Sequence, residues 1–164
     1  MLASLVAILP LSLRLCHWNL VYSPAKHGLS VQTFYNRIAD AAEGPTFLPT
    51  VVVVETADGC VFGGFGPHRW RSSSKFFGTD EAFVFTATEN FRVYGATRAN
   101  QQYQFSSERL PIVFGGGEKG SAIGIYDDWL RGSASACSTF GNTRFSPEAE
   151  FVVRNLEVWY LIPE

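Results

Sequence analysis

Apolar and polar positions change period twice along the chain, and those changes divide it into a short helical start and a long strand-rich remainder. Leu2 to Leu13 is mostly apolar. Its first part, Ala3 to Leu9, predicts a short amphipathic helix ended by Pro10, because the residue before a proline resists the α conformation. From Cys16 the pattern alternates and predicts a strand over Trp18 to Tyr22, stopped by Ser23-Pro24. Val31, Phe34, Tyr35, Ile38 and Ala42 then recur at i, i+3, i+4, i+7 and i+11, with Ser30 placed to cap and Gly44-Pro45 to terminate a helix.

Beyond Pro49 helical periodicity is absent, and β-branched or aromatic runs recur between Gly, Asn, Asp and Ser clusters. Val51 to Glu55 and Cys60 to Phe65 flank Asp58-Gly59, whose tolerance of positive φ predicts a two-residue hairpin turn. Further strands are expected at Ala82 to Thr86, Phe91 to Tyr94, Gln102 to Phe105, Pro111 to Phe114, Ser121 to Tyr126 and Glu150 to Ile162, the last interrupted near Asn155. Roughly ten short strands at hairpin spacing predict a mainly β (α+β) fold, an antiparallel sandwich or barrel flanked by a few short helices. Alternating βα units are not visible, which argues against a doubly wound sheet.

A chain of 164 residues is one domain's length, and no Gly/Ser/Pro linker splits it. The expectation is a single domain over 1–164 with its core at about 10–162. Hydrophobic residues at 46% against 17% charged exclude a disordered class. Thirteen basic and fifteen acidic residues, without a clustered basic face, argue against nucleic acid as a partner. The three cysteines, Cys16, Cys60 and Cys137, are odd in number and widely spread, unlike a secreted disulfide framework, so reduced thiols in an intracellular setting are expected. The apolar start lacks a preceding basic residue and is broken by Pro10 and Arg14 well short of a bilayer span, so no direct membrane insertion is expected.

Several phrases resemble the TLDc domain family of oxidation-resistance proteins. Trp18-Asn-Leu-Val-Tyr-Ser23, Lys26-His27-Gly28-Leu-Ser30 and Thr33-Phe-Tyr35 are similar to its opening strand, turn and first helix. Asp58-Gly59-Cys-Val-Phe62-Gly63, Gly78-Thr-Asp-Glu81-Ala-Phe83 and Phe114-Gly115-Gly116-Gly117 follow in the family's order. The longest match is Asp128-x-Leu130-x-Gly132-x-Ser-x-x-Cys137-x-Thr139-Phe140-x-Asn142, with Phe151-x-Val153 and Leu156-Glu157-Val158-Trp159. One departure is plain: Tyr126 stands where the family carries the first aspartate of an Asp-x-Asp-Leu phrase. The resemblance implies two antiparallel sheets packed as a β-sandwich with neighbouring chain ends, and no defined catalysis. It implies a non-catalytic interaction module linked to oxidative-stress resistance that binds and regulates the vacuolar-type proton pump (V-ATPase). A monomer is expected, in the cytoplasm, with recruitment to endolysosomal or vacuolar membranes or to mitochondria.

The candidate chemistry divides accordingly. Gly115-Gly-Gly117-Glu-Lys-Gly120 satisfies Gly-x-Gly-x-x-Gly, but the strand expected after it denies the helix N-terminus on which dinucleotide phosphates sit. Cys-His pairs at zinc spacing and a regular calcium loop are absent, so neither cofactor nor metal is expected. Partner contacts are expected at Glu81, Gly115, Gly116, Gly117, Asp127, Asp128 and Trp129. Glu81 reads either as a hydrogen-bonded anchor or as an exposed contact. Trp70, Trp129 and Tyr103 read either as loop contacts or as covers of core edges. The alternative function is a thiol-dependent antioxidant or redox sensor using Cys137, although a half-buried thiol packed under a turn fits its small neighbours better, with no cationic neighbour visible to lower its pKa.

Overall fold

The computed structural model describes residues 1–163. Three helices precede the strands: α1 (Leu2–Ile8), α2 (Pro24–His27) and α3 (Val31–Ala41), with a 3-10 turn at Leu11–Leu13 and strand β1 (His17–Tyr22) between the first two. The strands that follow are β2 (Phe47–Thr56), β3 (Val61–His68), β4 (Phe83–Thr86), β5 (Arg92–Gly95), β6 (Gln104–Phe105), β7 (Ile112–Phe114), β8 (Ile123–Ile125), β9 (Arg131–Ala134) and β10 (Glu150–Ile162). Ser30 Oγ accepts the Thr33 amide at 3.3 Å, the capping that its position predicts.

All strand pairs are antiparallel. One layer runs β5-β4-β3-β2-β10-β1, the other β6-β7-β8-β9-β10, so the long final strand belongs to both. Its first residues, Glu150 to Val152, pair with β9; from Val153 it pairs with β2. The interruption expected near Asn155 is a register shift between Val153 and Asn155 within a continuous strand, a bulge that turns the strand from one layer into the other.

The two layers enclose the main core. Val52, Val54, Phe62 and Val84 from the first meet Ile112, Phe114, Ile123, Ile125 and Ala134 from the second. Phe114 lies so close to β3 that a methyl group at Gly64 would sit 2.9 Å from its ring. Trp70 stands edge-on to Phe114, centroids 5.2 Å apart, and its indole donates to Thr50 Oγ1 at 2.8 Å. The opposite face of the first layer carries Val51, Phe65, Phe83, Phe85 and Leu161, covered by Leu5, Leu9, Leu13 and Cys16. The apolar start is therefore a lid on the sheet. Each of its buried leucines contributes about 2 kcal/mol by leaving water, and α1, with no side-chain cap, depends on that packing.

The hairpin between β2 and β3 differs from expectation. The Thr56 amide bonds the Cys60 carbonyl at 2.9 Å and the Gly59 amide bonds that of Thr56 at 3.0 Å, leaving a three-residue loop, Ala57 to Gly59. Gly59 adopts φ 91°, the left-handed residue such loops require. Strand β9 and helix α2 go beyond the sequence expectation, and β2 and β3 extend further than their apolar cores.

Candidate functional site

The glycine run follows β7 and leads into strand β8, so the fingerprint's required helix is replaced by a strand. Gly115, Gly117 and Gly120 adopt φ of 82°, 128° and 121°. The run lies against the segment 137–142, pinned by Thr139, which is wholly buried. Thr139 Oγ1 accepts the Gly116 amide at 2.9 Å and donates to Asn100 Oδ1 at 2.9 Å. Thr97 Oγ1 donates to the Ser138 carbonyl at 2.7 Å, and Asn100 Nδ2 to Ser138 Oγ at 3.2 Å. Three segments, 97–102, 115–120 and 136–142, thus form one cross-braced end of the molecule. They border a cleft of about 640 Å³ lined by Asn100, Gln102, Glu118, Lys119, Cys137 and Ser138, among others.

Gly117 is exposed at this cleft, whereas Gly115 and Gly116 are buried beneath it. Cys137 is buried too, and its thiol donates to the Gly116 carbonyl at 3.0 Å. It is more deeply enclosed than the half-buried thiol expected. Cys16 and Cys60 are likewise free and buried.

Glu81 is exposed, and its carboxylate makes no hydrogen bond or ion pair among the described residues. The anchor reading is therefore set aside. The anchoring role in this region falls to Gln104, wholly buried, whose amide accepts the His68 N–H at 3.2 Å and donates to the His68 carbonyl at 3.1 Å. The sequence places Gln104 inside a strand, and in the polar stretch Asn100-Gln-Gln-Tyr-Gln-Phe-Ser-Ser107 nothing singles it out. Next to Glu81, Asp80 pairs with Arg98 at 3.3 Å. Arg98 holds φ 66°, a conformation few side chains adopt, and opens the segment that edges the cleft. The Glu81 turn and the glycine run are consequently joined through Arg98 at one end of the sandwich.

Asp127, Asp128 and Trp129 lie elsewhere, in the turn between β8 and β9 at the far end of that hairpin. Asp127 is exposed. Asp128 is a turn anchor: Oδ1 accepts the amides of Leu130 and Arg131 at 3.0 and 3.2 Å, and Oδ2 accepts Arg131 Nε at 3.0 Å. Desolvation alone would raise its pKa, but these donors together hold it below the ordinary carboxylate value. Tyr126, in place of the family's first aspartate, donates to Glu150 Oε1 at 3.1 Å. Trp129 is buried in the core, as are Trp70 and Tyr103, so all three serve packing and offer no loop contact to a partner. Among the described residues no group of three or more His, Cys, Asp and Glu side chains could hold a metal, and no helix is long and apolar enough to cross a membrane.

Two antiparallel layers sharing their last strand, flanked by a few short helices, define the class as a mainly β sandwich, with the candidate residues on its connecting loops. A family model, the TLDc domain, matches residues 1–162, and the chain belongs to this family. It is similar to oxidation resistance protein 1 of Xenopus laevis and of Homo sapiens, 32% identical over 142 residues in each, and to nuclear receptor coactivator 7 of Mus musculus, 31% identical over 142 residues. Those matches cover 87% of this chain but 16%, 16% and 14% of the respective relatives, so the chain spans about a sixth of their length.

Proposed function

We propose that this domain is a non-catalytic interaction module, linked to oxidative-stress resistance, that binds and regulates the V-ATPase. The observation that carries the reading is the exposed Glu81 next to the Asp80–Arg98 pair, which links the Glu81 turn to the segment that edges the glycine-run cleft, all of them loop groups on a β frame. Its accessible groups, Glu81, Gly117, Glu118 and Lys119, suit a protein contact. The Cys137 thiol is instead buried and donates to a carbonyl. The similarity to oxidation resistance protein 1 supports the stress link.

The test is a pull-down from cell extract with the purified domain as bait, comparing wild type with Glu81→Ala after both are confirmed folded. Recovery of V-ATPase subunits by wild type, reduced at least about tenfold by the substitution, is expected for a contact near the centre of an interface. Recovery of no pump subunit by the folded wild type overturns the reading.

A further inference from the structure

The strand pair β2–β10 comes apart at one end. Tyr160 and Thr50 are the last partners in that register, and beyond them β2 continues through Pro49, which has no N–H to give a ladder, to Phe47, which is held from the other side by pairing with His68 of β3. Strand β10 runs on with β1, Leu161 opposite Trp18 and Ile162 opposite His17. The last residues of α3 border the fork, and a pocket of about 260 Å³ remains, lined by Asp40, Glu43, Phe47, Pro49, Tyr160 and Ile162, among others.

Apolar side chains and carboxylates share this pocket, and no cation lines it. Phe47 is 57% exposed although it stands in a strand, and Tyr160 and Ile162 are only partly covered. Asp40 and Glu43 are exposed and make no hydrogen bond or ion pair among the described residues. Arg37, one turn back on α3, donates from Nε to the Val21 carbonyl at 2.6 Å, and Arg69, whose amide donates to the Thr46 carbonyl at 2.7 Å, pairs with neither acid. The helix adds charge of the same sign, because its C-terminal end is partially negative and its last turn holds no basic residue to offset it. Carboxylates at that end are unfavourable in the free domain, so the fork is an apolar cavity under negative potential that this chain leaves unneutralised. Such a surface repels the phosphates of lipid or nucleic acid and is complementary to a protein segment with Lys or Arg beside an apolar side chain.

We propose that the fork between β2 and β10 is a docking pocket for a basic partner segment, which inserts one apolar side chain into the fork and sets Lys or Arg against Asp40 and Glu43. The pocket shares no residue with the glycine-run cleft or the Glu81 turn, so this proposal and the V-ATPase reading can each fail without the other.

The experiment is a titration of the isotope-labelled domain with the synthetic peptide acetyl-Lys-Arg-Phe-Arg-Lys-amide, followed by backbone amide chemical shifts. Shifts centred on residues 40–43, 47–48 and 160–162 are expected, and binding weakens in 1 M salt, where the Debye length is about 3 Å. Replacing the peptide's phenylalanine by serine lowers affinity about tenfold or more. The domain variant Asp40→Asn/Glu43→Gln lowers it about twofold to thirtyfold, the range for two exposed ion pairs. That variant melts no lower than wild type, because it removes charge from the negative end of a helix, so its loss of binding is not a loss of folding. Absence of shifts at millimolar peptide, shifts centred on another surface, equal binding of acetyl-Glu-Asp-Phe-Asp-Glu-amide, or binding unchanged in the double variant each overturns the proposal.

Discussion

The ring of Trp129 lies 4.7 Å, centroid to centroid, from that of Tyr22, and through this contact the turn between β8 and β9 is locked onto the end of β1. Phe34 of α3 completes the group, 5.1 Å from Trp129 and 5.3 Å from Tyr22. Three segments far apart in sequence thus share one aromatic cluster. Trp129 reaches it from a left-handed backbone conformation at φ 61°, which the surrounding packing must hold in place. Truncation to Trp129→Ala is expected to cost about 3–5 kcal/mol of unfolding free energy, and Trp129→Phe clearly less, by urea denaturation. A loss under 1 kcal/mol for the alanine variant would show that the cluster does not tie the segments together.

Beside the same cluster, the His27 ring stacks on Tyr22 with centroids 5.9 Å apart, and its Nδ1 accepts the Ser23 amide at 3.0 Å. Burial, then the charges of Arg37 and Lys26, lower its pKa below the usual imidazole value. A depressed histidine contributes stability that is present above the unfolded value of about 6.5 and is lost as pH falls through the folded pKa, because the unfolded chain takes up the proton first. Burial, then Arg71, likewise lowers the pKa of His68, with Glu81 opposing. The urea midpoint of wild type should fall between pH 7.5 and 5, and His27→Asn, which retains an acceptor for the Ser23 amide, should fall less. Equal falls would assign the whole dependence to other groups.

Legibility in the sequence tracked how far each element declares itself through its own residues. Helix α3 could be read because its apolar stripe and Ser30 cap are local, and the long β10 because its alternation is extended. Strand β9, Arg-Gly-Ser-Ala, was not readable: it has no large apolar side chain, and only pairing with β8 and β10 makes it a strand. Gly63 and Gly64 fall inside the strand expected at Cys60 to Phe65 and Gly66 just beyond it, and their neighbours in sequence do not mark them as the closest approach of β3 to adjoining strands and the facing layer. For the site, Glu81 and the glycine run were each visible as phrases. Their junction through Arg98 is tertiary, and so is the separation of Asp127 and Asp128 from both.

The close approach at Gly64 gives a direct test of layer packing. Gly64→Ala places its methyl against three carbons of the Phe114 ring, each 2.9 Å away, and a ring wedged between Trp70 and β3 has little room to retreat. Overpacking of this kind is expected to cost about 1–3 kcal/mol, measured by thermal or urea unfolding. Phe114→Leu in the Gly64→Ala background should recover part of the loss, since the shorter side chain vacates the contact. A double variant no more stable than Gly64→Ala alone would argue against this contact as the source.

All three thiols are enclosed, which distinguishes a structural Cys137 from a redox one. Cys137 is 4% exposed, its Sγ lies 3.0 Å from the Gly116 carbonyl, and a methyl at Gly115 would fall 2.6 Å from the sulfur, so the thiol is closed off on the side of the glycine run. Reactivity requires a thiolate that reagents can reach. In native buffer at neutral pH, labelling by a maleimide should therefore proceed for none of Cys16, Cys60 and Cys137 at a rate near that of the urea-unfolded chain, with protection of at least about a hundredfold, consistent with opening that costs a few kcal/mol. Rapid labelling of Cys137 alone, with loss of peroxide consumption in Cys137→Ser, would instead restore the thiol-dependent reading, and mass spectrometry of the labelled peptides separates the two outcomes.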